Sequence, residues 1–151
     1  MSAIVLLDTS IYLNVLDVPG FSGERTEVLN EFERAVRAGD RFLLPLASVW
    51  ETGKHIAQLR DGRQRRQWAE HLTRDVRSAF EGSTPYSATH FAKREEFEGW
   101  LASFPDAAAA GKSLADHSLI QEWQRNCELN PLRRVRIWSL DSDLAGYDRE
   151  P

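Results

Sequence analysis

The sequence has little sulfur and no long apolar run: its 151 residues include one cysteine and one methionine. Since Cys127 has no second cysteine in the chain to pair with, an intramolecular disulfide is excluded, and a cytoplasmic location is the default expectation. No segment approaches the roughly 20 apolar residues of a membrane-spanning helix, so we expect no membrane association. The N-terminal segment has neither the basic residues nor the apolar length of a signal peptide.

An excess of positive charge is also missing. The chain has 19 Lys and Arg against 23 Asp and Glu, and its formal net charge is −4. Overall charge therefore does not favour a polyanion as partner, and contact with a nucleic acid would need a local basic patch. Hydrophobic residues make up 42% and charged residues 28%, which is typical of a globular chain. A chain of this length is expected to form a single domain over residues 1–151.

Short apolar runs alternate with helical patterns along the chain. Buried strands are predicted at 4–7, at 42–44 and within 133–140, and a strand near Tyr86 is only weakly indicated. Helices are predicted at about 11–16, 24–38, 46–59, 68–80, 91–104 and 113–127, with 105–111 as a connection of small residues. This alternation predicts an α/β fold with a mostly parallel central sheet flanked by helices.

Acidic residues occupy four related positions in this pattern. Asp8 directly follows the first strand, and Asp141 follows the last strand, with Asp143 two residues later. Glu51 lies one turn into the helix after the second strand, and Asp116 lies in the first turn of a later helix. Each acid alone has an ordinary explanation as a helix cap, a turn residue or a surface residue. Together they should meet at one edge of a parallel sheet.

Four carboxylates at one edge would repel one another and raise each other's pKa. A hard divalent cation removes that repulsion, and sites made only of oxygen ligands suit Mg²⁺ or Mn²⁺. The arrangement therefore predicts a site for Mg²⁺ or Mn²⁺.

The motifs that carry these acids resemble those of PIN-domain ribonucleases, and most of all the VapC-type toxins of bacterial toxin–antitoxin modules. The matching segments are "IVLLDTSIYL", "FLLPLASVWE", "SLADHSLI" and "IWSLDSDL". They are distributed from residue 4 to residue 144, so the resemblance extends over essentially the whole chain. The resemblance implies a three-layer α/β/α sandwich of the PIN type. It also implies an acidic quartet that serves as catalytic residues and metal ligands, namely Asp8, Glu51, Asp116 and Asp141, with Asp143 as an accessory ligand.

The same resemblance implies a Mg²⁺- or Mn²⁺-dependent endoribonuclease that hydrolyses RNA with activated water. Thr9, Ser10 and Ser139 are the hydroxyls expected to order the acids, and Ser139 replaces the threonine usual in the family. A homodimer is implied, together with an antitoxin whose C-terminal segment blocks the site.

Two further functional hypotheses remain, and the role of one basic cluster has two interpretations. A PIN-like module that binds RNA or protein without cutting would be expected to lose one of the acids, and all four are present. A phosphatase of the haloacid dehalogenase type needs a second aspartate two residues after Asp8, where this chain has Ser10. Four arginines near the middle of the chain form a basic cluster: Arg60, Arg63, Arg65 and Arg66. They form either a solvated helix face, which we favour, or a rim that contacts RNA phosphates.

Overall fold

A five-stranded sheet lies at the centre of the computed structural model, which describes residues 2–88 and 90–151. Its strands are β1 (Ile4–Leu7), β2 (Arg41–Leu44), β3 (Tyr86–Ala88), β4 (Val135–Trp138) and β5 (Asp148–Arg149), in the order β3-β2-β1-β4-β5. The first four strands are parallel, and the short β5 pairs antiparallel with β4. The predicted mostly parallel sheet is confirmed.

Helices cover both faces of this sheet and give a three-layer α/β/α sandwich, as predicted. They are α1 (Thr9–Leu16), α2 (Arg25–Arg37), α3 (Leu46–Ala57), α4 (Gly62–Phe80), α5 (Arg94–Ala109), α6 (Leu114–Leu129) and α7 (Ser142–Ala145). The core on one face contains residues of α1, α2, α3 and α4, and the core on the other contains residues of α6 and α7. In the described residues, no helix has both the length and the apolar character needed to cross a membrane.

The central strand β1 is buried along its whole length because both of its faces are covered. Val5 and Leu7 point into the first core, and Ile4 and Leu6 point into the second, as the two-residue period of a strand requires. A strand covered on both faces has no need of alternating polar residues. The polar sequence that begins at Asp8 therefore marks the place where the chain leaves the sheet.

The segment 105–111, which we predicted to be a connection, is largely helical. Helix α5 begins at Arg94, later than predicted, and continues through Pro105 to Ala109. Proline removes one backbone hydrogen bond inside a helix, but the alanines that follow it have the highest helix propensity of any residue. The prediction of a connection at 105–111 was wrong because the alanine run continues the helix beyond Pro105. The short elements α7 and β5 were not predicted.

A half-buried aspartate joins α1 to the sheet on the first face. The hydroxyls of Tyr12 in α1 and Tyr86 in β3 each donate a 2.5 Å hydrogen bond to Oδ2 of Asp75 in α4. Burial, and then the Asp75 carboxylate, raise the pKa of both tyrosines far above the usual value, so both remain proton donors. This three-residue cluster fixes the position of the helix that begins at Asp8.

A fully buried acid, Glu122 in α6, has no such donors. It is 5% exposed, and its Oε2 atom accepts no hydrogen bond from the described residues. Nδ1 of His90 lies 3.5 Å from that oxygen. Burial raises the pKa of Glu122, an effect that the positive charges of His90 and Arg125 oppose and the negative charge of Glu96 reinforces.

Glu122→Gln should therefore stabilise the protein at neutral and alkaline pH, by about 1 kcal/mol or roughly 2–4 °C in Tm. The folded state binds the Glu122 proton more tightly than the unfolded chain does. Protonation of Glu122 therefore stabilises the folded state in full below about pH 4.3, and this stabilisation is lost as pH rises through the folded-state pKa. Thermal melts of both proteins at pH 8 and pH 5 measure the difference. A variant that gained as much at pH 5 as at pH 8 would contradict this account.

Candidate functional site

Asp8 lies at the carboxyl end of the central strand and is 7% exposed. It is the N-cap residue of α1, as the capping alternative proposed, but the capping bond from the Ser10 amide to Oδ2 is long, at 3.5 Å. Two hydroxyls contact the same oxygen more closely, that of Ser10 at 2.9 Å and that of Ser139 at 2.7 Å. Side-chain hydroxyls therefore hold this carboxylate more firmly than the helix backbone does.

The two serines also fix the segment that follows β4. The hydroxyl oxygen of Ser10 accepts a hydrogen bond from the Leu140 amide at 3.0 Å, and that of Ser139 accepts one from the Asp141 amide at 2.9 Å. Among the described residues, the hydrogen bonds to the Asp8 carboxylate all go to Oδ2. This arrangement leaves Oδ1 available to a ligand.

Glu51 reaches the same end of the sheet from α3, which begins immediately after β2 and its Pro45. The Ser48 hydroxyl donates a 2.7 Å hydrogen bond to the carbonyl oxygen of Leu7, so α3 is attached directly to the end of β1. The Thr9 hydroxyl lies 3.4 Å from Oε2 of Glu51. Ser48 was not predicted as a functional residue. The sequence does show its hydroxyl one helical turn before Glu51, on the helix face that carries the buried Ala47 and Thr52.

Asp116 lies in the first turn of α6. Its amide donates a 3.1 Å hydrogen bond to the hydroxyl oxygen of the N-cap residue Ser113, so the capping pattern seen in the sequence is present. The cap bond uses the backbone amide of Asp116. Its half-buried carboxylate is close enough to three other acids for their charge to raise its pKa, and a hydrogen bond with the Ser113 side chain opposes that effect. Capping and a role in a site are thus compatible.

Asp141 and Asp143 form the exposed rim of this edge. Oδ1 of Asp141 accepts a 2.9 Å hydrogen bond from the Asp143 amide and caps the four-residue helix α7. Both residues are exposed, whereas Asp8 is buried and Glu51 and Asp116 are half-buried. We call the five carboxylates of Asp8, Glu51, Asp116, Asp141 and Asp143 the acidic edge.

Electrostatic interactions show that the members of the acidic edge lie near one another. Burial raises the pKa of Glu51, and the negative charges of Asp116 and Asp8 raise it further. Burial likewise raises the pKa of Asp116, followed by the charges of Asp8, Asp141 and Asp143. The structure thus brings together the acids that the sequence placed at strand and helix ends.

The donor set of the acidic edge fits a hard divalent cation. All of its charged groups are carboxylates, and their mutual repulsion would be relieved by a bound positive charge. Within residues 2–88 and 90–151, no three Asp, Glu, His or Cys side chains lie close enough together to form a ready set of metal ligands. Binding of one ion by several of these acids would therefore require side-chain movement towards the ion.

The basic cluster 60–66 lies beyond the end of α3 and in the first turns of α4. Nη1 of Arg65 donates hydrogen bonds to the carbonyl oxygens of Leu59 and Arg60 at 2.7 and 3.0 Å, and Arg66 pairs with Glu70 at 3.1 Å. Arg65 and Arg66 also line an open groove of about 840 Å³ between α3 and α4. Arg65 thus has a structural role at the end of α3, and all four arginine side chains are exposed.

The acidic edge is built from residues far apart in the sequence, with Asp8 at its centre and Ser10 and Ser139 bonded to the same oxygen of that acid. The functional conclusions below rest on this arrangement of carboxylates and hydroxyls. Comparison of the chain with protein-family models, with curated proteins and with solved structures finds no match.

Proposed function

We propose that this protein is a metal-dependent endoribonuclease of the PIN-domain type, with Mg²⁺ or Mn²⁺ at the acidic edge. The observation that carries the proposal is the position of Asp8: a buried carboxylate at the end of the central strand, held at one oxygen by two hydroxyls, with Glu51 and Asp116 within electrostatic range. Acids that served only as caps of separate helices would not be expected to lie within electrostatic range of one another.

The proposed roles follow from burial and position. Asp8 and Asp116 are the principal metal ligands, Glu51 and Asp141 complete the site, and Asp143 is an accessory ligand. A divalent cation supplies Lewis-acid stabilisation of the phosphate and lowers the pKa of water. Glu51 would orient the attacking water, because it lies within electrostatic range of both Asp8 and Asp116.

The serine hydroxyls act on the reaction through Asp8. Both donate to Oδ2, which fixes the rotation of the carboxylate and leaves Oδ1 without a hydrogen bond from the described residues. Partners of this kind, which orient a metal ligand without touching the metal, are typically worth 10–100-fold in affinity or activity. Ser10 and Ser139 are therefore positioning residues, and Thr9 is a weaker one beside Glu51.

Ser139→Ala should lower RNA cleavage by about 10–100-fold and leave the fold intact, because it removes the 2.7 Å hydrogen bond to Asp8 and the acceptor of the Asp141 amide. Ser139→Thr keeps the hydroxyl and should retain most of the activity. Cleavage rates at several Mn²⁺ concentrations measure the effect, which should appear partly as a weaker apparent metal affinity. An alanine variant with wild-type metal dependence would remove Ser139 from the proposed mechanism.

The same proposal includes a toxin role in the cytoplasm, with a homodimer and a cognate antitoxin whose C-terminal segment covers the acidic edge. What supports a protein partner is α5, which has no buried residue in the described chain and exposes Phe97 and Leu101 by 42% and 44%. Exposed apolar side chains on one helix are typical of protein interfaces. Arg60, between α3 and α4, and Arg63, in the first turn of α4, remain candidate contacts to RNA phosphates.

The decisive experiment incubates the purified protein with a structured RNA in Mg²⁺, in Mn²⁺ and in EDTA. We expect internal cleavage in the first two conditions and an intact RNA in the third. RNA binding without cleavage in any metal would favour the non-cleaving module instead. Release of inorganic phosphate from a phosphomonoester would favour a phosphatase, although Ser10 is bonded to Asp8 at the position where that family needs a second acid.

A further inference from the structure

One tryptophan of this protein differs from the other four in its surroundings. Trp50 is 69% exposed, whereas Trp138 is buried and Trp68, Trp100 and Trp123 are half-buried. An indole is the largest apolar side chain, and its exposure leaves a large flat surface without a partner in the described residues. Position in the helix explains part of this, since α3 buries Ala47, Ser48, Thr52 and Ile56 on another side.

Trp50 lies directly beside the acidic edge. It precedes Glu51 in α3, whose first residues follow the end of β2. Lys54 follows Trp50 by one helical turn, which places the two side chains on the same exposed face of the helix. The Lys54 ammonium is also near enough to the Glu51 carboxylate for its charge to act on that group.

An exposed aromatic face next to a cation is the combination that binds unpaired nucleotides. A base can stack on the indole, and the adjoining phosphate can pair with the ammonium. In a duplex both faces of the base are already stacked, so such a surface discriminates in favour of single-stranded or looped RNA. The cation also distinguishes this surface from a purely apolar protein contact.

We propose that Trp50 and Lys54 form the substrate subsite of this enzyme for an unpaired nucleotide next to the cleaved phosphate, with the base stacked on Trp50 and a phosphate paired with Lys54. This inference rests on the proposed ribonuclease function and deepens it by naming the two residues that would hold the substrate beside the acidic edge. Neither residue contacts the reacting atoms in this scheme, so their contribution is to substrate binding.

The test compares Trp50→Ala and Trp50→Phe with a matched control, Leu132→Ala. Leu132 is 72% exposed and precedes β4, at the opposite edge of the sheet from Asp8. The substrate is a single-stranded RNA oligonucleotide whose cut position has been mapped, along with the same strand annealed to its complement. Kd for a fluorescently labelled strand is measured in EDTA, and kcat and KM are measured in Mn²⁺.

Trp50→Ala should raise Kd and KM for the single strand about 5- to 150-fold, which corresponds to a stacking free energy of about 1–3 kcal/mol. Its kcat should stay within about threefold of wild type, and Trp50→Phe should recover most of the binding because it keeps an aromatic face. Lys54→Gln should raise KM and reduce the dependence of Kd on salt. RNA binding should quench tryptophan fluorescence in wild type and in Leu132→Ala, and much less in Trp50→Phe.

Unchanged Kd and KM in Trp50→Ala, or an equal loss in Leu132→Ala, would overturn the subsite. Equal cleavage of the single strand and the duplex would also overturn it. The two proposals can fail separately. RNA cleavage with the same Kd and KM in Trp50→Ala as in wild type would refute the subsite alone. Trp50-dependent RNA binding without cleavage in Mn²⁺ would refute the nuclease function alone. Circular dichroism of each variant confirms that a loss of binding does not come from unfolding.

Discussion

Asp8→Asn should reduce RNA cleavage by at least about 100-fold while the protein keeps its fold. Asparagine retains the shape and can still accept hydrogen bonds from Ser10 and Ser139 at its amide oxygen, so the contacts around position 8 are preserved. What is lost is the negative charge that a divalent cation needs, and even the outer partners of metal ligands are worth 10–100-fold. Asp116→Asn should behave in the same way, since asparagine can keep a hydrogen bond with Ser113 and the cap bond of the backbone while the negative charge is lost.

Asp61→Asn is the matched control for this experiment. Asp61 is the N-cap residue of α4 and accepts a 2.9 Å hydrogen bond from the Arg63 amide, so it has the local geometry of Asp8 without the neighbouring acids. Asparagine is as good a cap as aspartate, and this variant should cleave RNA like wild type. Wild-type cleavage by Asp8→Asn in saturating Mg²⁺ would require a different site for the chemistry.

The sheet and the position of the acids were predictable because both follow from burial. Strand β1 is apolar throughout since both of its faces are covered, and β4 is apolar except for the half-buried Arg136. Each of these strands is followed by a segment that contains an acid. Parallel pairing then places Asp8 and Asp141 at the same edge without any knowledge of long-range contacts. Strand β3 was faint because it has three residues, one of them exposed.

Other features depend on contacts that a local pattern does not contain. The helical pattern around Trp50 does not show from the sequence that this side chain is exposed, because its exposure depends on how the other helices pack around α3. Ser10 and Ser139 are 129 residues apart, and their contact with one oxygen of Asp8 exists because β1 and β4 are neighbours. Arg65 looked like part of a basic cluster, yet it caps the end of α3.

The acidic edge also shows how charge and packing are related in this fold. Glu51 and Asp116 have raised pKa values because they are partly buried and lie near other acids, and burial is the larger cause for both. The fold therefore keeps these groups in an unfavourable environment near neutral pH, where the charged form predominates in the unfolded chain. A bound divalent cation would turn this repulsion into attraction, so the folded state should respond strongly to metal.

Saturating Mn²⁺ should consequently raise the Tm of the wild-type protein by roughly 5–11 °C relative to EDTA. A ligand that binds only the folded state stabilises it by RT ln(1 + [L]/Kd), about 2.7 kcal/mol at a hundredfold excess over Kd, and a domain of this size gains about 2–4 °C per kcal/mol. Asp8→Asn should melt at or above the wild-type temperature in EDTA, because it removes one of the charges that act on Glu51 and Asp116. It should gain much less from Mn²⁺, since a neutral amide is a poor ligand for the ion. Asp61→Asn should match wild type in both conditions, and equal Mn²⁺ shifts in wild type and Asp8→Asn would show that Asp8 is a helix cap and not a metal ligand.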